Sequence, residues 1–384
     1  MIQPTRPPTR PSKEDALYIG LMSGTSVDAI DCALVNCSDS NADLIATHQH
    51  DIPPEMQGHI ADISVSGNNE IERMGPLDRE LGRLFAEATQ ALLNAAGETS
   101  DNIRAIGSHG QTVRHRPPSE GLNTESFTLQ LGDPNTIAEL TGITTVADFR
   151  RRDLAAGGEG APLAPAFHAA ALASTDHNRA IINIGGIANI SLLEGKTLVA
   201  GFDCGPGNTL LDHWIRRHRG EPFDRDGRWS ASAAVNQLLL NDLLQHPFFL
   251  LTGPRSTGKE AFNLEWLDRV LETHGNLPSE AVQATLAELT AKTIAKGISE
   301  SSIDIDEVYI CGGGVHNDDL MRRLEKHIDP LSPTSTAELG LAPDWVEAVT
   351  FAWLAHRTLE GLHGNAPVVT GADGFRVLGG IYTA

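Results

Sequence analysis

The sequence predicts an α/β chain of two lobes, each a mixed β-sheet with flanking helices, and a cleft between them. Three observations carry this. A strand, glycine turn, strand pattern occurs twice, each copy is followed by helical spacing, and glycine-rich turns close several apolar strands. The first copy is strand 17–22, a glycine turn, strand 30–36 and a third strand at 43–51. The second is strand 180–184, Gly185-Gly186, strand 187–193 and a third strand near 197–202. Residues 77–96 place Leu77, Leu81, Leu84, Phe85, Ala88 and Leu92 on one helical face; 281–299 do likewise with Leu286, Leu289 and Ile294.

The lobe boundary is expected near 135–145, around Asp133-Pro134-Asn135. That gives a first lobe of 16–140 plus about 365–384 and a second of 141–364. The opening MIQPTRPPTRPSKED, residues 1–15 with four prolines, reads as a disordered tail and not as a secretory signal. Near the other end, Asp344 precedes Glu347 by three residues, the spacing of a capping box. Val346, Val349 and Trp353 follow on one face of a helix expected to cross back to the first lobe.

Charge narrows the function. With 50 Asp+Glu against 29 Lys+Arg over 384 residues, the net charge is −21, which disfavours nucleic acid and anionic membranes as partners. Four cysteines without a C-x-x-C pair show neither a disulfide framework nor a zinc site, as suits a cytoplasmic protein. No run approaches 18 apolar residues, so no membrane span is expected.

The most informative stretch is LYIGLMSGTSVDAIDCALVN, residues 17–36. A small-residue loop between strands lets backbone amides approach a polyanion, because glycine lacks the Cβ that would block it. Asp28 and Asp31 beside such a site suggest Mg²⁺ between carboxylate and phosphate. An ordinary Gly/Ser hairpin turn fits the same spacing.

Four further segments could carry chemistry. IGSHGQTVRHR (106–116) sets His109, Gln111, Arg114 and His115 after a short strand, where a ligand crevice often lies; a solvated loop reads similarly. TGITTVADFRRRD (141–153) is a β-branched strand ending at Asp148, a candidate general base, followed by Arg150, Arg151 and Arg152. A guanidinium there could grip a phosphate or sugar carboxylate, and a surface Asp–Arg pair is the plainer alternative. GFDCGPGNTLLDHW (201–214) joins Asp203 to Gly205, Gly207 and Asn208 ahead of a helix, whose N-terminal amides suit phosphate. Val308 to Cys311 runs into Gly312-Gly313-Gly314, suited to backbone approach to a flat ligand. One decoy is Gly253 to Glu260, which matches seven positions of a P-loop but has Glu260 where the hydroxyl belongs; Phe248 to Leu251 before it looks strand-like. The histidines form no H-E-x-x-H pairing.

Together these segments resemble the anhydro-N-acetylmuramic acid kinases of the sugar kinase/Hsp70/actin superfamily. The resemblance runs from about residue 17 to the C-terminus. It rests on GLMSGTSVDAIDCAL, GSHGQTVRHRP, LQLGDPNTIAELTGITTVADFRRRDLAAGGEGAPLAP, INIGGIANIS, FDCGPGNTLLD, STGKEAFNLEWL and CGGGVHNDDLMRRL, in order, with PVVTGADGFRVLGG closing. It implies a two-lobed actin-like ATPase fold with the active site in the cleft. The implied activity uses ATP and Mg²⁺ to open the 1,6-anhydro ring with water and phosphorylate O6, in cell-wall recycling.

By similarity, Gly24, Thr25, Ser26, Val27, Asp28, Ala29, Ile30 and Asp31 hold ATP phosphates and metal. Gly205, Gly207, Asn208, Gly312, Gly313 and Gly314 line the nucleotide site, and Asp148 matches the family's general base. His109, Gln111 and Arg150 are candidate sugar contacts, Asp28, Asp31 and Asp203 candidate metal ligands, and a homodimer is one assembly the chain could form. Ala29 and Lys259 depart from the family's usual glycine and arginine, and Ala29 adds a methyl group to the nucleotide loop. The rivals are a kinase for another anhydrosugar, such as levoglucosan, and a non-enzymatic ATP-driven clamp of the actin or Hsp70 type.

Overall fold

The computed structural model describes residues 16–24, 26–38, 41–120, 125–251, 255–258 and 261–384. Strands β1 (Ala16–Ser23), β2 (Ala29–Cys37) and β3 (Ala42–Asp51) form an antiparallel meander. Next, β4 (Ile103–Arg116) runs parallel to β1, with β5 (Phe127–Leu131) antiparallel on its far half and β6 (Thr145–Ala147) parallel on its other side. The second sheet repeats the plan. β7 (Arg179–Ile184), β8 (Ile187–Glu194) and β9 (Thr197–Pro206) form the meander, with β10 (Glu307–Cys311) and β11 (Pro333–Ser335) parallel beside β7. Finally β12 (Gly380–Tyr382) returns to pair with β6.

The strand orders are β12-β6-β4-β1-β2-β3 and β11-β10-β7-β8-β9. Without β12 and the side strand β5 they are the same order, so the repeat in the sequence is a structural repeat and the chain has the two-lobed actin-like fold. Strand β6, which the 135–145 boundary would give to the second lobe, is hydrogen-bonded into the first sheet. The 1–15 tail lies outside the described residues.

Each sheet has an outer and an inner core. Ile19, Leu21, Ile30 and Cys32 face outward onto the helix Glu70–Ala96. Ile182, Ile190, Phe202 and Ile310 of the second sheet face helices Ser279–Ser299 and Asp318–Ile328. The inner core is shared: Tyr18, Val35 and Ala105 of one sheet and Ile181, Leu193 and Tyr309 of the other join Val349, Ala352 and Trp353 of the helix Val346–Leu359. This helix does cross back to the first lobe.

Its start differs from the expectation. Trp345 occupies the cap without a side-chain hydrogen bond, and Asp344 instead accepts from His316 Nε2 at 2.9 Å. A 3-10 turn over Pro343–Trp345 precedes the helix, so the acid cannot reach its amides as a cap would.

The seating of this helix explains two strand glycines. Gly20 and Gly107 are partners across β1 and β4. A Cβ on Gly20 would stand 1.8 Å from the Ala348 carbonyl oxygen, and one on Gly107 would stand 1.9 Å from that of Phe351. Both obstacles are backbone and cannot move aside. Gly107→Ala is therefore expected to destabilise the fold by ~3 kcal/mol or more. Gly58→Ala, in open space on the helix Pro54–Ser64, should stabilise it by roughly 0.5–1 kcal/mol. Chemical denaturation of both variants checks the contrast, and equal midpoints would refute it.

Candidate active site

The functional motifs meet where the inner strands end. Between β1 and β2, Val27 takes a left-handed conformation (φ 60°) and its amide donates to Gly24 O at 3.3 Å. Ser26 Oγ donates to Asp28, and the Gly24 Cβ position is open apart from Ser26 Oγ at 3.8 Å. Gly24, Ser26 and Asp28 thus present the loop outward, whereas Ile30 is core and Ala29 is buried at the start of β2. The Ala29 methyl group is packed within the fold. Thr25 lies outside the described residues.

The 106–116 motif is strand, not loop. Gln111 Oε1 accepts from Ser23 Oγ at 2.6 Å, and its Nε2 donates to Gly24 O at 3.3 Å. Its carboxamide therefore braces the phosphate-type loop and is not displayed to a sugar. His109 is 5% exposed; its Nδ1–H donates to Gly110 O at 2.8 Å, and Nε2 accepts from Arg150 Nε and Nη2 at 3.0 and 2.9 Å. Burial, then the Arg150 charge, holds the ring far below its usual pKa, so it is neutral. Arg150 also donates Nη1 to Gly160 O at 2.9 Å. His109 and Arg150 are a locked pair, which leaves the guanidinium only part of its fork for a ligand.

Arg150 faces the acids of the cleft. Burial lowers its pKa to about 10, against the opposing pull of Glu347, Asp203 and Asp153. Glu347, in the first turn of the helix Val346–Leu359, is a half-buried acid whose pKa is raised by desolvation and opposed by Arg150. Asp31 shares the inner face with Met22; burial pushes its carboxyl up to about 6 against a 3.0 Å hydrogen bond from Gln49, and Asp28, Glu347 and Asp344 add to the rise. Asp212, on the helix Thr209–Arg219, is pushed up to about 7 by burial, with Asp28 of the other lobe among the groups that raise it. The sequence marks Glu347 only as a capping residue and gives Asp212 no role of its own; a lone acid on an amphipathic helix carries no local signal.

Asp203 is the most deeply set of these acids. It lies at 6% exposure near the end of β9, and desolvation pushes its carboxyl up to about 7. Thr257 N and Ser256 Oγ donate to Oδ2 at 2.8 and 3.2 Å, while its backbone exchanges bonds with Arg255 at 3.0 Å. Ser256 and Thr257 thus clamp the acid.

Asp148 is placed differently. It ends β6 in a strained left-handed conformation (φ 61°), and its side chain, one-third exposed, meets Arg151 Nε at 3.4 Å. Burial raises its pKa and Arg151 lowers it. The charged group facing it is Arg151, with the neutral phenol of Tyr382 on the edge strand β12 nearby, whereas Arg150 faces Asp203 and Glu347. Its surface pairing with arginine is the plainer reading of the sequence, and the cleft groups gather around Asp203.

The glycine loops pack against each other first. Gly207 N and Asn208 N donate to Gly186 O and Gly185 O at 2.9 and 2.8 Å, so these amides are engaged by the neighbouring hairpin and do not point freely at a ligand. A Cβ on Gly314 would lie 2.3 Å from Ile184 Cγ2 and one on Gly312 2.4 Å from Asn183 Oδ1; packing on β7 requires both. Gly313 alone of the three has an open Cβ position, 4.0 Å from Asn208 Nδ2. The P-loop decoy has no strand before it, since Pro247–Leu250 is a 3-10 turn; Gly253, Lys259 and Glu260 lie outside the described residues. Among the described residues no three His, Cys, Asp or Glu side chains form a metal cage, and no helix is long and apolar enough to cross a membrane.

Burial of Asp203 has a pH signature. Its folded pKa of about 7 exceeds the ordinary 3.8, so the folded state holds the proton more tightly and this group's contribution falls as pH rises between those values. The stability of Asp203→Asn relative to the parent should therefore increase from pH ~4 to ~7 and then level off. Urea midpoints across that range test this, and a constant difference would refute it.

The sequence pattern that defines the family described as anhydro-N-acetylmuramic acid kinase matches residues 16–384. A protein of that name from Saccharophagus degradans is 51% identical over 370 residues, covering 96% of this chain and 99% of its own. One from Shewanella halifaxensis is 49% identical over 371 residues, with 96% and 99% covered. Among solved structures, the activator of the 2-hydroxyisocaproyl-CoA dehydratase from Clostridium difficile with bound ADPNP overlays with a TM-score of 0.46 at 13% identity, covering 90% of this chain and 96% of that one. Matched from residue 16 to 384, across both lobes, the chain belongs to the anhydro-N-acetylmuramic acid kinase family.

Proposed function

We propose that this kinase opens 1,6-anhydro-N-acetylmuramic acid with water and phosphorylates O6 from ATP, with Asp203 as the general base. One observation carries the assignment: Asp203 is a buried carboxyl with a pKa near 7, among the charged groups of the cleft. A base is most effective when its pKa lies near the working pH. Both bonds from the 255–258 segment end on Oδ2, so Oδ1 is the oxygen that would take the proton.

The step balances simply. Water oxygen bonds to the anomeric carbon, the carbon–O6 bond breaks, and the water proton passes to Asp203. O6 then bonds to the γ-phosphorus of ATP, and ADP leaves. The developing charge at O6 is captured by phosphoryl transfer as it forms, so no free alkoxide accumulates. Arg150, fixed by His109 and Gly160, holds positive charge beside Asp203 and Glu347. The loop of Gly24, Ser26 and Val27 and the open face of Gly313 would receive the phosphates and nucleotide.

Mg²⁺ fits this site. Asp31, raised by burial and by Asp28, is a carboxylate that a cation would favour, and Asp212 faces Asp28 from the second lobe. Two or three carboxylates short of a cage suit an ion that keeps water and takes phosphate oxygens as ligands. Bound there, it would offset charge on the transferring phosphoryl oxygens.

Asp203→Asn is expected to lower kcat by ~10³-fold or more with both substrates still binding, whereas Asp148→Asn keeps turnover within about threefold. Product formed in water enriched in heavy oxygen should carry label at the anomeric hydroxyl. An inactive Asp148→Asn beside an active Asp203→Asn would reverse the assignment. Chelation should abolish turnover until Mg²⁺ is restored, and Asp31→Asn should raise the Mg²⁺ needed for half-maximal rate by roughly tenfold. An unchanged requirement would remove Asp31 from the metal site.

A further inference from the structure

The register of the second sheet puts four side chains in one row. Cys311 of β10 pairs with Asn183 of β7, Asn183 with Asn189 of β8, and Asn189 with Asp203 of β9. Directly opposed residues point to the same face, here the inner face that Ile181 and Cys311 share with the crossing helix. Beside Asn189 the ladder steps from Ala188–Gly205 to Asn189–Asp203, so β9 carries an extra residue, Cys204, in a bulge. Such bulges re-aim side chains at the ends of sheets.

Both asparagines in the row hold a buried side-chain oxygen with no hydrogen-bond partner among the described residues. An unsatisfied buried acceptor costs about 1–3 kcal/mol, so its retention calls for a donor that comes from outside the chain. Asn183 Oδ1 lies against the backbone of Gly312, on the nucleotide-loop side. Asn189 stands between Asn183 and the base. Opposed side chains on neighbouring strands are about 4.5–5.5 Å apart at Cβ, a span that one water molecule bridges.

Water brings two protons to the reaction. Asp203 removes one, and an acceptor for the other fixes both O–H directions and so orients the lone pair that attacks. We infer that Asn189 Oδ1 accepts a hydrogen bond from the attacking water and, with Asp203, aims its lone pair at the anomeric carbon. Asn189 gains and loses no bond in the step; its contribution is orientation, which acts on the rate more than on substrate binding. The inference rests on the assignment of Asp203 as base.

Three variants test it: Asn189→Ala, Asn189→Asp and Asp203→Asn, assayed with ATP, Mg²⁺ and the anhydrosugar. Asn189→Ala should lower kcat by about 10- to 100-fold with both KM values within about threefold. Its melting temperature without ligands should not fall, because it loses an acceptor that had no partner. Asn189→Asp keeps the shape and sets a second carboxylate beside the first, so the acidic limb of the kcat–pH profile should move to higher pH. Normal kcat in Asn189→Ala, with Asp203→Asn inactive, overturns the role of Asn189 and leaves the base in place. A raised sugar KM at unchanged kcat overturns it too, by making Asn189 a reader of a sugar hydroxyl or amide. A fall in melting temperature that accounts for the lost rate would make it structural. Normal turnover in Asp203→Asn sinks both assignments.

Discussion

The contact between the helix Val346–Leu359 and the first sheet is the constraint on which the rest depends. Helix backbone lies directly on strand backbone because Gly20 and Gly107 leave nothing between them. That closeness lets one helix fill the inner core of both sheets, so the lobes share apolar residues such as Tyr18, Trp353 and Tyr309. It also carries Glu347, at the helix start, into the space between the strand ends, facing Arg150 and Asp31. Moving the helix outward by a methyl group would disturb the core and the cleft charge together.

Within the cleft, desolvation is the leading influence on Asp203, Asp212, Asp31, Glu347, Arg150 and His109. The chain as a whole carries a charge of −21, yet burial favours the neutral form of Asp203, Asp212, Asp31 and Glu347. Arg150 works against that trend and is itself held by a histidine that burial keeps neutral. Among such buried groups electrostatic interactions are stronger than at the surface. A carboxyl poised near neutrality in such surroundings can change protonation state during a turnover.

The glycine-rich turns have a shared logic as well. Gly185 and Gly186 accept the amides of Gly207 and Asn208, and Gly312 and Gly314 pack onto the end of β7. Three turns far apart in the chain thus brace one another, with Gly24 held through Gln111 on the opposite lobe. The outcome is a rim of short, small residues whose shape is fixed by packing within the chain. Preorganisation of this kind lowers the ordering cost of binding.

The sequence by itself determined the local and the repeated features. The paired meanders, the long amphipathic helices and the positions of the glycine turns follow from strand periodicity, helical spacing and the lack of a Cβ, all short-range properties. Seven ordered motifs were enough to indicate the family. The sequence could not decide which aspartate is the more deeply buried. Asp148 and Asp203 both stand at strand ends beside arginine or glycine, but β6 lies next to the edge strand β12, near Tyr382, while β9 ends under the clamp of Ser256 and Thr257. Desolvation depends on what packs around a group from distant parts of the chain. The burial of Asp203, the approach of Glu347 to Arg150 and the row that sets Asn189 beside Asp203 were therefore decided only when the two sheets closed around one helix.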